Sequence, residues 1–242
     1  MKIDSNVQSL IKTDAGCRQL LKELRFESGK FVCRKCKNTK AYEISGRPGV
    51  YECSGCGVQV SLTAGTFFHG KKLPLTKCFA LLISHLSGET HSASQLARDI
   101  GLWVSTVWRW GQQIRLLIND VFVDDHCVLV DCDSLRKILF RRSVETAAAG
   151  NGAYETAARA PDSDEERLAI LETQGFISTH HHGVSKKYAQ LYAAEYRFSL
   201  RSKEYSLKTL IGLFLGIRPV SVESVSSYSS PELIVLPTRN KH

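Results

Sequence analysis

Long apolar runs are missing from this sequence. No stretch approaches the roughly twenty residues that cross a bilayer, and the start, Met1-Lys-Ile-Asp-Ser-Asn6, has no apolar signal core. These absences set membrane-spanning and secreted classes aside. The expectation is a cytoplasmic chain of one or two domains in a reducing compartment that keeps thiols available. The second half also lacks net charge. Residues 121–242 hold 15 Lys and Arg against 15 Asp and Glu, whereas residues 1–120 hold 17 against 9. The whole formal excess of +8 therefore lies in the front half, as expected of a surface that meets a polyanion. An ordinary basic surface is the competing reading.

Cysteine is plentiful by comparison, at eight residues. Cys33-Arg-Lys-Cys36 and Cys53-Ser-Gly-Cys56 are two C-x-x-C pairs with sixteen residues between them, a spacing that fits a four-thiolate zinc site. Ala41–Ile44 is strand-like, Gly46–Gly49 is a turn, and Val50–Glu52 returns the chain to the second pair. A thioredoxin-like redox pair or two structural disulfides would be the alternatives, but a matched second pair favours a zinc ribbon. Four thiolates on Zn²⁺ would bring the net charge to about +6. Cys17, Cys78, Cys127 and Cys132 lie in apolar contexts and are read as buried thiols rather than ligands.

Helical periodicity places Val7, Leu10, Ile11, Cys17, Leu20 and Leu21 on one face before the ribbon, with Asp14 as the cap of a second short helix. After the ribbon come a period-two strand from Val58 to Thr63, a basic linker at Lys71 and Lys72, and a helix from Leu75 to about Leu86. A short helix closed by Gly101 and a longer one from Thr106 to about Ile118, with Ser105 as N-cap, have the order of a helix-turn-helix. Val107, Ile114 and Leu117 are expected inside. Ser105, Thr106, Arg109, Gln112 and Gln113 are expected to face DNA, with Lys71 and Lys72 on phosphates. The competing reading is a three-helix bundle with a polar surface. Trp103, Trp108 and Trp110 are expected in core or turn packing.

Beyond residue 120 the pattern is a short strand ending at Asp131, a possible hairpin partner at Leu135–Phe140, and an Ala/Gly-rich loop from Ala147. Ser163 and Glu166 form a capping box that opens a helix to about Gln174. Helices follow from Ser185 through Phe198 and over about Leu207–Leu215. From Ser221 the chain reads as a disordered or docking tail.

Together these pieces resemble bacterial insertion-sequence transposases that join a zinc ribbon, a helix-turn-helix and a DDE-type nuclease core. The resemblance rests on Cys17-Arg18, Leu21 and Leu24-Arg25, on Val60-Ser-Leu-Thr-Ala-Gly65-Thr-Phe-Phe-His69 with Leu73-Pro-Leu75, and on Ser94-Gln-Leu-Ala97-Arg98. It continues in His181-His-Gly-Val-Ser185-Lys-Lys-Tyr188, Gln190-Leu-Tyr192, Glu195-Tyr196 and Phe198. It covers about residues 14–120 and 165–203. It implies an RNase H-like core whose carboxylates hold two Mg²⁺ ions, with Asp131 as first acid and Glu172 at the position of the third acid or an asparagine. The middle acid is lacking. Asp162 and Asp164 are the only Asp residues in the Ala/Gly loop and capping box that fill most of the interval between Asp131 and Glu172, and both suit a helix N-terminus. The His180–His182 run, a conceivable metal site, is read as packing or hydrogen bonding near DNA.

The sequence therefore predicts an α+β chain: an N-terminal helical segment (1–24), a zinc ribbon (25–72), a helix-turn-helix (73–120), a reduced RNase H-like α/β remnant (121–220) and a tail (221–242). Its expected function is that of a transposase-like, nucleoid-associated protein that binds double-stranded DNA and carries structural zinc, with a second copy of the chain among its candidate partners and an incomplete nuclease. Two alternatives stand beside it, an active DDE transposase using Mg²⁺ and a zinc-dependent protein-interaction module.

Overall fold

The computed structural model describes residues 5–26, 31–87, 91–122, 127–131, 164–181, 184–217, 220–228 and 232–236. Expectations at Cys132, Leu135–Phe140, the Ala/Gly segment, Asp162, Ser163 and His182 lie outside the described residues. The chain forms two compact units, each discontinuous in sequence: residues 1–87 with 202–220, and 88–201 with 221–242.

The first unit opens with α1 (Ser5–Leu10) and α2 (Asp14–Arg25). Asp14 is not the cap expected of it. Thr13 takes that place, its hydroxyl accepting the Gly16 N–H at 3.0 Å. Asp14 instead accepts the Thr76 N–H at 3.2 Å, in the first turn of α3 (Leu75–Leu86). Pro74 precedes α3 and offers no side-chain cap, so the carboxylate from α2 satisfies one of its orphan amides. Val7, Cys17, Leu20 and Leu21 are buried, as their spacing predicts.

The ribbon sheet consists of β1 (Ala41–Glu43), β2 (Val50–Cys53) and β3 (Gln59–Ser61), antiparallel in that order, with Ala41 opposite Cys53 and Val50 opposite Ser61. Strands this short cannot stand alone. Phe26 and Phe31 meet edge to face at 5.5 Å, and Phe26 meets Tyr51 likewise at 5.7 Å. Arg25 donates to the Ser61 carbonyl at 2.7 Å and to that of Leu62. Within the phrase Gly65–His69 the middle residues Thr66, Phe67 and Phe68 turn inward. Phe67 and Phe68 are buried, and Phe68 lies 5.1 Å from Phe79 of α3. A later helix, α8 (Leu207–Gly216), packs on α2 and α3 and completes this unit.

The second unit contains α4 (Ala93–Ile100) and α5 (Val104–Phe122). Ser92 caps α4, accepting the Gln95 N–H at 3.2 Å. Gly101 stops it in a left-handed conformation at φ 67°, with its N–H on the Ala97 carbonyl, a position where a side chain would be strained. Ala97 is buried where α4 and α5 pack together. Helix α5 begins two residues before the expected Thr106, so Ser105 is helical and not its N-cap.

After β4 (Cys127–Asp131) the described chain resumes at α6 (Asp164–His181), which runs seven residues past the expected end near Gln174. A 3₁₀ turn (Lys186–Tyr188), α7 (Ala189–Ser202) and α9 (Val222–Ser227) follow in this unit, α9 against α5. In the tail, β5 (Glu232–Leu236) lies parallel to β4, with Asp131 opposite Leu236. Pairing consumes one edge of each strand.

Candidate metal centre and nucleic-acid face

The two C-x-x-C turns have the same backbone. In the first, the Lys37 N–H bonds the Cys33 carbonyl at 3.0 Å and the Cys33 N–H bonds the Asn38 carbonyl at 2.9 Å. In the second, Gly57 and Val58 repeat this around Cys53, both at 3.0 Å. The residue after each second cysteine is left-handed, Gly57 at φ 66° and Lys37 at 61°. For lysine that conformation is unfavourable, and the two backbone hydrogen bonds that close the turn around Cys33 hold it.

These turns bring Cys33, Cys36, Cys53 and Cys56 together, all four sulfurs within 4.8 Å of one another. Cys33 Sγ lies 3.6 Å from Cys56 Sγ, and Cys36 Sγ 3.5 Å from Cys53 Sγ. Those spacings are too long for disulfides, whose bond is about 2.05 Å. They approach the roughly 3.8 Å edge of a tetrahedron with zinc–sulfur bonds of about 2.3 Å. The electrostatics agree. Backbone N–H donation, first from Cys36, holds the Cys33 thiol down at about 6. Cys36 is pushed up to about 12: the Asn38 N–H works against this, but proton sharing with Cys56 and the other sulfurs outweighs it. Four thiols so close cannot all ionise without a cation between them, whereas a divalent ion stabilises all four thiolates. The donor set and spacing suit structural zinc, which would tie the ends of the hairpin together. With four protein thiolates as ligands such a site would leave no open position for chemistry.

The thiols read as non-ligands behave differently. Cys17 and Cys78 are buried, and burial is the main cause pushing each up to about 12. Cys127 is on β4, and nothing is described of its side chain.

The residues expected to face DNA divide into two sets. Ser105 and Arg109 are exposed on α5, and Thr106 is partly exposed. Gln112 and Gln113 are not on that face. They are 0% and 3% exposed, and the partner of Gln112 is on α7. Gln112 donates to the Tyr192 hydroxyl at 3.0 Å. Trp110 is buried as expected, but Trp103 is 83% exposed and Trp108 39%, so neither is a core residue. Lys72 is open to solvent. The Lys71 ammonium lies 5.3 Å from the Phe67 ring centre, and burial pulls its pKa below the usual value. Two cations not among the expected DNA-facing residues line a groove of about 620 Å³ between α2 and the ribbon: Arg18 and Lys22, with Glu43 also in the lining.

The same buried side of α5 carries a second feature not foreseen. Arg115 donates from Nε to Glu195 Oε2 at 2.7 Å, both side chains below 10% exposure. Its guanidinium lies 4.1 Å from the Tyr192 ring centre, and His181 Nε2 is 3.9 Å from the same carboxylate. Burial, the largest single influence, lowers the Arg115 pKa, but the Glu195 charge, the neighbouring Tyr192 and the hydrogen bond to Glu195 together outweigh it and the net shift is upward. Gln190 donates to Asn119 at 3.1 Å beside this pair. The sequence phrase around Gln190–Glu195 therefore serves as one side of a buried polar seam.

Of the two candidate acids, Asp131 ends β4 and Glu172 lies exposed on α6, where it accepts the Tyr196 hydroxyl at 2.9 Å. Helix α6 packs against β4. Among the described residues, the group of three or more potential ligands close enough for a metal is the four cysteines.

A family model described as a transposase zinc-ribbon domain matches residues 12–59, which include α2 and all four cysteines. The N-terminal part of the chain is thus transposase-like. No curated protein and no solved structure matches the chain. No described helix is long and apolar enough to cross a membrane.

Proposed function

We propose that this chain is a transposase-derived DNA-binding protein whose zinc ribbon is structural and whose α4–α5 pair reads duplex DNA as a helix-turn-helix. The observation that carries the reading is the four-cysteine cluster within a segment similar to a transposase zinc-ribbon domain. The basic front half supports it, since neutralising phosphates is the main source of non-specific affinity. So does the exposed start of α5, where Ser105, Thr106 and Arg109 are able to reach a groove. Binding takes place on the nucleoid, with a homo-oligomer as the natural form for a two-fold site.

The test uses the full chain, because residues 1–120 alone would remove α8 from the first unit and α7 from the second. After selection of a preferred duplex, Arg109→Ala should weaken that sequence by about 1–3 kcal/mol and relax its specificity at one position. Lys72→Ala should weaken all sequences alike and reduce the salt slope by about one. Arg109→Ala binding every duplex as the parent does would remove α5 from the interface.

We further infer that the nuclease is incomplete. Two-metal chemistry needs carboxylates converging from separate elements on ions about 3.5–4 Å apart. Asp131 and Glu172 supply two candidates, but the sequence between them offers no strand-terminal acid, and Glu172 is engaged by Tyr196. Incubation with duplex DNA and Mg²⁺ or Mn²⁺ should give neither cleavage nor strand transfer. Cleavage that disappears in Asp131→Ala would establish a working core and restore the active-transposase reading.

A further inference from the structure

A cavity of about 470 Å³ lies within the second unit, between the start of α4, the middle of α5, the end of α6 and the start of α7. Its volume falls in the range of small-ligand clefts. Trp108, Tyr188, Tyr192 and His180 give it ring-bearing walls, with Trp108 and Tyr188 edge to face at 5.7 Å. Among the described residues, no Lys, Arg, Asp or Glu lines it. With no permanent charge and with His181 adding a further ring, that lining suits a neutral planar ring.

The cavity also has a polar group with an unmet requirement. Gln112 borders it, is fully buried and gives its amide N–H to Tyr192, but its Oε1 has no hydrogen-bond partner. Turning the amide over does not help. The oxygen would then accept from the Tyr192 hydroxyl and leave the NH₂ group without that partner. A buried amide atom in this state is costly unless something arrives to bond it. Nucleobases carry in-plane donors and acceptors on an aromatic ring, which is the complement of an amide behind aromatic walls.

Position favours a base delivered by DNA. Trp108 is 39% exposed and adjoins Arg109 on α5, and Ser94 brings the first turn of α4 to the same cavity. A duplex placed along the exposed start of α5 would pass this opening. We propose that the cavity receives one unstacked nucleobase of the bound DNA, its ring held between the aromatic walls and its edge bonded to the Gln112 amide as the lining side chains re-pack around it. This rests on the DNA-binding reading above.

The test compares three duplexes of otherwise identical sequence with the full chain: fully paired, with one bulged adenine, and with an abasic nucleotide in the bulge. The abasic form keeps the flexibility of the bulge but has no base to insert. An already unpaired base avoids the cost of extrusion. The bulged adenine should therefore bind on the order of tenfold tighter than the abasic bulge, a typical effect of stacking one base. In Trp108→Ala and in the near-isosteric Gln112→Leu this ratio should fall towards one. Trp108 is surface-accessible, so its variant keeps the test valid if Gln112→Leu misfolds. Equal affinity for the adenine and abasic bulges would overturn the inference while leaving DNA binding standing, as would a ratio unchanged in Trp108→Ala. Absence of binding to any duplex would overturn both readings. Saturable binding of free adenosine monophosphate, with no preference among the duplexes, would make this a nucleotide site and overturn the assignment to DNA.

Discussion

Cys36→Ser should abolish zinc binding and unfold the ribbon. Structural zinc contributes about 10–16 kcal/mol of apparent binding energy in comparable small folds, more than strands of three or four residues can replace. Cys36 is exposed, so its loss removes a ligand without opening a core cavity. The parent should hold one zinc per chain, and the variant none. Loss of order should spread through Arg25, Phe67 and Phe68 to the rest of the first unit, since these join the ribbon to α2 and α3. Cys17→Ala is the control, because that thiol is buried and held protonated by desolvation, so zinc content should remain one. The ligands must shed protons to bind, so zinc affinity should rise with pH. Metal analysis finding no zinc in the parent would refute the assignment.

Glu195→Ala should destabilise the second unit by about 3–5 kcal/mol, because it leaves the Arg115 charge buried and unpaired. The pair itself is a poor source of stability. Its mutual attraction offsets a desolvation cost of similar size, so joint replacement by apolar residues of like volume should recover most of the loss. Denaturant titration should show a lower midpoint for Glu195→Ala and near-parental behaviour for the packed double variant. A loss below about 1 kcal/mol in the single variant would mean that water reaches the pair. Such a buried charge is better explained as fixing the register of α5 against α7 than as adding stability.

The four-cysteine cluster is legible in the sequence because its determinants are local. A C-x-x-C turn places two sulfurs on one side of an ion wherever it occurs, and the hairpin between Cys36 and Cys53 has its own turn residues. Helix positions in the first 120 residues followed from hydrophobic period for the same reason. What escaped was non-local. Gln112 and Gln113 read as part of a DNA-facing side of α5, because nothing nearby says that Tyr192, eighty residues on, meets Gln112, or that the neighbouring Arg115 meets Glu195. Asp14 looked like a cap for its own helix, yet serves α3, whose first residue is 61 positions later. The spacing of Trp103 and Trp108 cannot distinguish packing from display, and the structure displays both. The histidines of Thr179–His181 seemed to follow a helix and instead finish it, where His181 approaches Glu195.

A zinc-dependent surface for duplex DNA should reveal itself in the anisotropy of a labelled duplex titrated with the zinc-loaded full chain across a salt series. Each phosphate neutralised releases counterions, so log affinity should fall linearly with log salt, with a slope near −0.9 per contact. Several contacts are expected, and chelation of the zinc should reduce binding. No measurable affinity at low salt, with one zinc per chain still bound, would contradict the account and leave the ribbon as a module for protein partners.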